Sequence, residues 1–309
     1  MDNFRQQLIN GLVLGSMYAL VALGYTMVYG IIELINFAHG EIYMIGAFTG
    51  LIAATLISWT GLPPLVVLLL AAAAAAAWAA AWGLAVERVA YRPLRGAPRL
   101  VPLITAIGAS FFLQYVFRGL YGSGFQAYPV VTALEGHFAL GPIRVLKFQA
   151  LVIVAAGLLM VALYQFTQRT RLGKALRSVS EDKEASALMG IDVDRMISMT
   201  FMIGGAAAGA AGVLYAIMFK QVHFFMGFIP GIKAFTAAVL GGIGNIPGAM
   251  LGGIFLGLVE SVGPSLFLDG LGIVAPYQLK DAIAFTMLVL VLIFRPSGIL
   301  GERLAVTKA

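Results

Sequence analysis

Three groups of residues in this 309-residue chain have types and spacings that suit chemistry. The first is Glu33, Asn36, His39 and Glu41, four polar residues within nine positions of an otherwise apolar stretch. If this segment breaks a helix inside a membrane, the unpaired N–H groups of the following half-helix would face an anionic group such as a substrate carboxylate. The same residues would also suit an interfacial turn, with His39 capping a helix or solvated. The second group lies in AVLGGIGNIPGAMLGG, which places Gly241, Gly242, Gly244, Asn245, Pro247 and Gly248 in the middle of a long apolar run. Two half-helices meeting near the centre of the bilayer would read this way, with Gly242, Gly244, Asn245 and Pro247 along a substrate path. Close helix packing is the other reading.

The third group is the segment 169–195, with six basic residues (Arg169, Arg171, Lys174, Arg177, Lys183, Arg195) and five acidic ones (Glu181, Asp182, Glu184, Asp192, Asp194). Glu181–Met189 contains no Gly or Pro and sets Ala185, Leu188 and Met189 on one apolar face at helical spacing. Gly190 then stops the helix before Ile191. A short amphipathic helix flanked by charge suits docking into a groove on a soluble partner. A solvated interfacial loop fits the pattern equally well.

The elements that must position these groups follow from composition. Hydrophobic residues make up 61% of the chain and charged residues 11%, with a mean hydropathy of +0.94. A soluble domain carries about 25% charged residues, so an ordinary soluble enzyme and a disordered chain are both excluded. The chain predicts an all-α polytopic membrane protein of about eight spans, forming one permease domain over 1–309. The spans are Leu8–Gly30, Ile42–Trp59, Leu65–Val86, Leu100–Leu120, Phe148–Phe166, Ile197–Phe219, the interrupted Ile232–Val262, and Ala282–Phe294, with breaks near 33–41 and 232–262. The first run is too long for the core of a cleaved signal and is read as a span. The alanine run 71–77 lies inside the third.

Basic residues set the sidedness. Arg88, Arg92, Arg95 and Arg99, the six of segment 169–195, and Arg295, Arg303 and Lys308 mark three cytoplasmic stretches. The tail shares that side only if Ile232–Val262 enters and leaves on one side, as its glycines permit. By the same count the N-terminus is outside. The external segment 122–147 is β-branched and turn-punctuated, which predicts a small hairpin, either a landing surface for an external partner or a cap over the helices. A faint self-similarity relates Asn36–Gly40 with its following span to Asn245–Gly248 with its own.

Several chemistries are absent. There is no cysteine, which excludes disulfides and thiolate metal sites. Gly241–Gly248 lacks the Lys and hydroxyl of a phosphate loop, and His39, His137 and His223 are too scattered for a metal centre. No nucleophile with paired carboxylates is evident, and the basic residues form no nucleic-acid patch. No cofactor is implied.

Taken as blocks, MVYGIIELINFAHGEIYMIGAF (27–48), VERVAYRPLRG (86–96), LITAIGASFFLQ (103–114), SEDKEASALMGIDVDR (180–195), KAFTAAVLGGIGNIPGAMLGG (233–253) and RPSGILG (295–301) resemble, in order and spacing, the LivH-type permeases of bacterial branched-chain amino acid ABC transporters. The resemblance implies an inner-membrane permease moving leucine, isoleucine and valine by ATP-driven alternating access. It implies a second, LivM-like permease, two cytoplasmic ATPases (LivG- and LivF-like) and a periplasmic binding protein as partners. It also implies that Glu184-Ala185-Ser186 and Gly190 correspond to the signature by which import permeases engage ATPases, with Ser186 where Ala is common. Related permeases for urea, short amides or other amino acids share these blocks. A lone secondary transporter or channel is the reading from another class.

Overall fold

The computed structural model describes residues 2–98, 100–129, 131–140, 143–268, 276–295 and 297–301. Among them are eleven α-helices: α1 Asp2–Ile32, α2 His39–Ser58, α3 Pro64–Val86, α4 Leu100–Tyr121, α5 Lys147–Arg169, α6 Arg171–Glu181, α7 Lys183–Leu188, α8 Val193–Phe219, α9 Phe228–Gly241, α10 Ile246–Gly263 and α11 Lys280–Phe294. Seven of these, α1–α5, α8 and α10, are long and apolar enough to cross a membrane, and α3 continues through a π-helical turn to Leu94. The 14 residues of α9 and the 15 of α11 rise only about 21–23 Å, short of a hydrocarbon core about 30 Å thick. The fold is the polytopic all-α arrangement expected, and the interrupted run resolves into α9 and α10.

Two small antiparallel ladders complete it. The expected hairpin is present as β2 (His137–Leu140) paired with β3 (Ile143–Leu146). A second ladder pairs β1 (Gln126–Ala127) with β4 (Gln221–Val222), tying the segment between α4 and α5 to the end of α8.

The bundle packs on small residues because apolar lipid gives no hydrophobic drive between helices, so close backbone approach must supply dispersion. Helix α8 lies against α1, α2 and α3. A Cβ on Gly209 would stand 2.6 Å from the Ala75 carbonyl oxygen, and one on Gly205 2.6 Å from that of Ala79. The alanine run resolves accordingly: Ala71, Ala75 and Ala79 are fully buried, while the face carrying Leu69, Leu70 and Trp78 is exposed. Helix α10 runs antiparallel to α1, with Gly11 at Leu258, Gly15 at Ile254 and Gly30 at Gly244.

Contacts sort the loops into two ends. At one, the Tyr91 hydroxyl donates to the Ile35 carbonyl (3.0 Å), Arg92 pairs with Asp194 (2.8 Å), and the backbone N–H of Ile299 donates to the Leu240 carbonyl (2.8 Å). At the other, Gln6 bonds the Arg144 carbonyl (3.1 Å) and Ser265 donates to the Gln7 side chain (2.8 Å). The first end carries Arg88, Arg92, Arg95, the six basic residues of 169–195 and Arg295. The turn between α9 and α10 lies at this basic end, so the chain enters and leaves that pair on the opposite side, and α11 returns to the basic end. Arg99, Arg303 and Lys308 lie outside the described residues.

Gly209→Val should lower the thermal unfolding midpoint of the purified chain in detergent, since overpacking here costs about 1–3 kcal/mol. Gly108→Val on α4, where a Cβ meets nothing within 4 Å, should leave it unchanged.

Candidate functional site

Helix α1 ends at Ile32, Glu33 takes a left-handed conformation (φ 60°), and the chain folds back inside the bundle before α2 starts. The ring of His39 lies 4.5 Å from that of Tyr25, edge-on, and directly over Gly24. Gly24 precedes the end of α1 by eight residues, so α2 begins about 12 Å inward. His39 does not cap: it is the first residue of α2, whose cap Ala38 makes no side-chain bond. Neither ring nitrogen meets a partner in hydrogen-bond geometry, and the polar group beside the ring is the Val21 backbone. Asn36 Oδ1 accepts from the Tyr91 hydroxyl (3.3 Å), leaving its Nδ2 buried and unpaired.

Glu41 is fully buried in the first turn of α2. Its Oε1 accepts from Gln114 Nε2 (2.7 Å) and Ser110 Oγ (3.1 Å), an i, i+4 pair on α4. Its Oε2 makes no hydrogen bond and faces Gly227, the residue that precedes α9. Gly40 and Gly227 touch so closely that a Cβ on either would collide with the other's carbonyl. Two helices therefore start back to back inside the bundle, and a carboxylate stands where their aligned peptide dipoles favour negative charge. That carboxylate is the protein's own. The adjoining cavity, bounded by Tyr25, Phe37, Ser110, Gly227 and Gly231, measures about 30 Å³, room for about two waters.

The second group forms the turn from α9 to α10. Gly242 (φ 104°) and Gly244 (φ 89°) hold backbone conformations that side chains resist. Asn245 caps α10, its Oδ1 accepting from Gly248 N (2.8 Å), and Pro247 sits in the first turn, where a missing N–H costs nothing. The strap 297–301 closes the turn. Ile299 and Leu300 N–H groups donate to the Leu240 and Gly241 carbonyls (2.8 and 2.9 Å), and Asn245 Nδ2 donates to the Leu300 carbonyl (3.0 Å). The turn stands beside Gly30, two residues from the end of α1, rather than near the middle of the bilayer as expected. The reason is length: α10 is a full span, so the break must lie at its end. Among the described residues no hydrogen bond joins this group to Asn36, His39 and Glu41.

A third polar group centres on Glu260, a buried acid of α10 with a full partner set. Lys233 Nζ lies 2.7 Å from Glu260 Oε1 and 2.6 Å from Asp281 Oδ1, Lys280 Nζ lies 3.4 Å from Glu260, and the Tyr18 hydroxyl donates to Glu260 Oε2 (2.8 Å). Two cations and two anions leave no net charge, which is the form in which ionic groups are tolerated away from water. Tyr18 is fourteen residues from the end of α1, about 21 Å inward. The signal that could have found Lys233 was a lone lysine in the run 228–241. For Ser110 and Gln114 it was their four-residue spacing on an otherwise apolar helix.

At the basic end, Glu181–Met189 is not one helix. Glu181 ends α6, and Asp182 turns extended and caps α7, its Oδ1 accepting from Ala185 N (2.9 Å). A capping carboxylate competes with helix continuation, and here the cap wins. Thr170 caps α6 and Asp192 caps α8 in the same way (2.9 and 3.0 Å). Ser186 is buried and shares a 2.8 Å hydrogen bond with Ser178, which accounts for a hydroxyl at that position. Gly190 (φ 84°) closes α7, and Ile191 N donates back to the Ser186 carbonyl (3.0 Å). Beside it, Arg95 pairs with both Asp194 and the fully buried Glu87, and Ser198 donates to Glu87 (2.8 Å). The segment is thus fixed along its inner side. Its outer side is bare: Leu188 is 89% exposed and Met189 83%, with Glu184 and Ala185 beside them.

Residues 7–292 match the family described as branched-chain amino acid transport system / permease component. The chain belongs to this family. It is 49% identical to the high-affinity branched-chain amino acid transport system permease protein BraD of Pseudomonas aeruginosa, over 97% of this chain and 96% of that protein. It is 43% identical to the permease protein LivH of Escherichia coli K12 over the same shares. Among solved structures, a metal-chelate-type ABC transporter in an inward-facing conformation aligns with 93% of this chain and 85% of its own, at 16% identity and a TM-score of 0.45. Family membership makes this chain a transport component and a multi-pass membrane protein.

Lys233→Met should destabilise the purified permease by about 3–5 kcal/mol, because it leaves the buried Glu260 carboxylate without its nearest cation. Lys233→Met combined with Glu260→Gln should recover part of that loss, as read by thermal unfolding in detergent.

Proposed function

We propose that this chain is the permease subunit of an ATP-driven importer of leucine, isoleucine and valine. In this reading the basic end, with the C-terminal strap, faces the cytoplasm. The bare face of Ala185, Leu188 and Met189 carries the reading. A fixed, capped element that presents two large apolar side chains beside Glu184 and Glu181 suits insertion into a groove on a soluble ATPase. The proposed partners are a second, LivM-like permease, two ATPases of LivG and LivF type and a periplasmic binding protein. The relatives' names support the substrate class.

Within this reading, the α1–α2 break with Asn36, His39 and Glu41 and the α9–α10 turn with Gly242, Gly244, Asn245 and Pro247 are the places where the bundle changes shape during alternating access. Both sit where helices end against one another rather than run through. Glu41 would hold α2, α4 and α9 together in one of the two states.

Reconstitution of the complete complex with ATP, binding protein and labelled leucine, urea or a short amide tests the proposal. Leucine uptake should require ATP and both ATPases. Leu188→Glu and Met189→Glu should each reduce it at least tenfold while the permease remains inserted in the membrane. Uptake that persists without an ATPase, or that accepts urea alone, would overturn the reading.

A further inference from the structure

At the end opposite the basic one, a cavity of about 360 Å³ opens between the external segment and the ends of α5 and α8. Val131, Leu134, Phe148, Ile217 and Met218 give it an apolar wall, and Glu135 and Lys220 supply its only charged side chains. Neither charged side chain makes an ion pair or hydrogen bond among the described residues. Lys220 itself holds a left-handed conformation (φ 55°), and its carbonyl accepts from Tyr128 N (3.0 Å). The backbone under the lysine is therefore pinned by the ladder joining α8 to the external segment. Lys147 stands nearby, its Nζ 3.7 Å from the Cβ position of Gly136.

Ligand cavities of this size are lined mainly by apolar groups, with few polar ones to set orientation. Here the two unpaired charges have opposite sign, and the wall between them is aliphatic and aromatic. We infer that this cavity is a reception site for a free α-amino acid with an aliphatic side chain. Lys220 takes the carboxylate, Glu135 takes the ammonium, and the apolar wall takes the side chain. The inference rests on the importer reading for its substrate class and places that substrate on the permease itself, at the external end. Both side chains are exposed, and a ligand lacking either charge forfeits one of the two ion pairs.

The experiment is saturation-transfer NMR from the assembled transporter in nanodiscs to the methyl groups of leucine, without binding protein. Leucinamide and 4-methylpentanoate, each missing one charge, are the competitors. Wild-type protein should transfer saturation to leucine, with both competitors at least tenfold weaker. Glu135→Gln and Lys220→Gln should each weaken leucine at least tenfold and leave basal ATP hydrolysis unchanged. Equal competition by the singly charged analogues, or leucine binding unchanged in both variants, would overturn the site. ATP-driven leucine uptake by the wild-type complex in proteoliposomes with binding protein is scored separately: its absence would sink the importer reading, while its presence with unaltered binding in the variants would sink this inference alone.

Discussion

Inside a bilayer every backbone N–H and C=O must find a partner within the protein, because the surroundings offer none. The chain meets this demand simply where helices run through. It meets it with specific devices where they do not: among the described residues α2 and α9 begin inside the bundle, and α9 and α10 meet at a tight turn. Leu240 and Gly241, at the end of α9, would present orphan carbonyls; the strap after α11 supplies the N–H groups of Ile299 and Leu300 to them. At the start of α10, Asn245 supplies the acceptor. At the starts of α2 and α9, Gly40 and Gly227 bring two backbones into contact, with the Glu41 carboxylate beside both. The strap 297–301 is therefore a lid for a helix end, and its Gly298 (φ 79°) is needed because Gly242 and Val239 leave no space for a side chain.

The same constraint governs charge. Glu41 is held by two side-chain donors and the start of a helix, Glu87 by Arg95 and Ser198, and Glu260 by Lys233 and Tyr18. Each carboxylate joins helices remote in sequence: α2 with α4, α3 with α8, α1 with α9 and α10. Hydrogen bonds in an apolar setting are individually strong, and an unmet group there is costly. These three acids therefore fix the register between helices that close backbone contact at glycines brings together. The basic end shows the complementary case. Arg92 and Arg95 clamp the first turn of α8 through Asp194, so the capped pair α6–α7 is carried on a rigid base while its outward face stays unpaired.

Much of this was legible beforehand. The positions of most spans and the basic loops that share an end followed from apolar runs and basic residues, because insertion depends on local hydropathy and charge; the expected eighth span is a helix of only 15 residues. The segment 169–195 stood out because acids and bases alternate there around a short apolar face. The break after α1 was marked by Glu33, Asn36, His39 and Glu41 crowding into an apolar run. What misled was range: a helical pattern over Glu181–Met189 gave no sign that Asp182 would cap rather than continue, since a cap competes with helix propagation by only about 1 kcal/mol. The glycines at 241–248 marked a turn, but sequence had no ruler for its depth.

Residue types within about twenty positions were enough to mark an all-α membrane protein, the stretches that share an end, and the breaks near 33–41 and 241–248, because hydropathy, charge and glycine content act locally. Only the tertiary structure decided that the α9–α10 turn lies at the basic end and that Lys233 meets Glu260. It also decided that Glu41 occupies its own helix-terminus site and that Glu135 and Lys220 face one cavity. Those outcomes depend on which distant helices pack together, and that choice is made by close backbone contact at particular glycines, a geometry that no local pattern encodes.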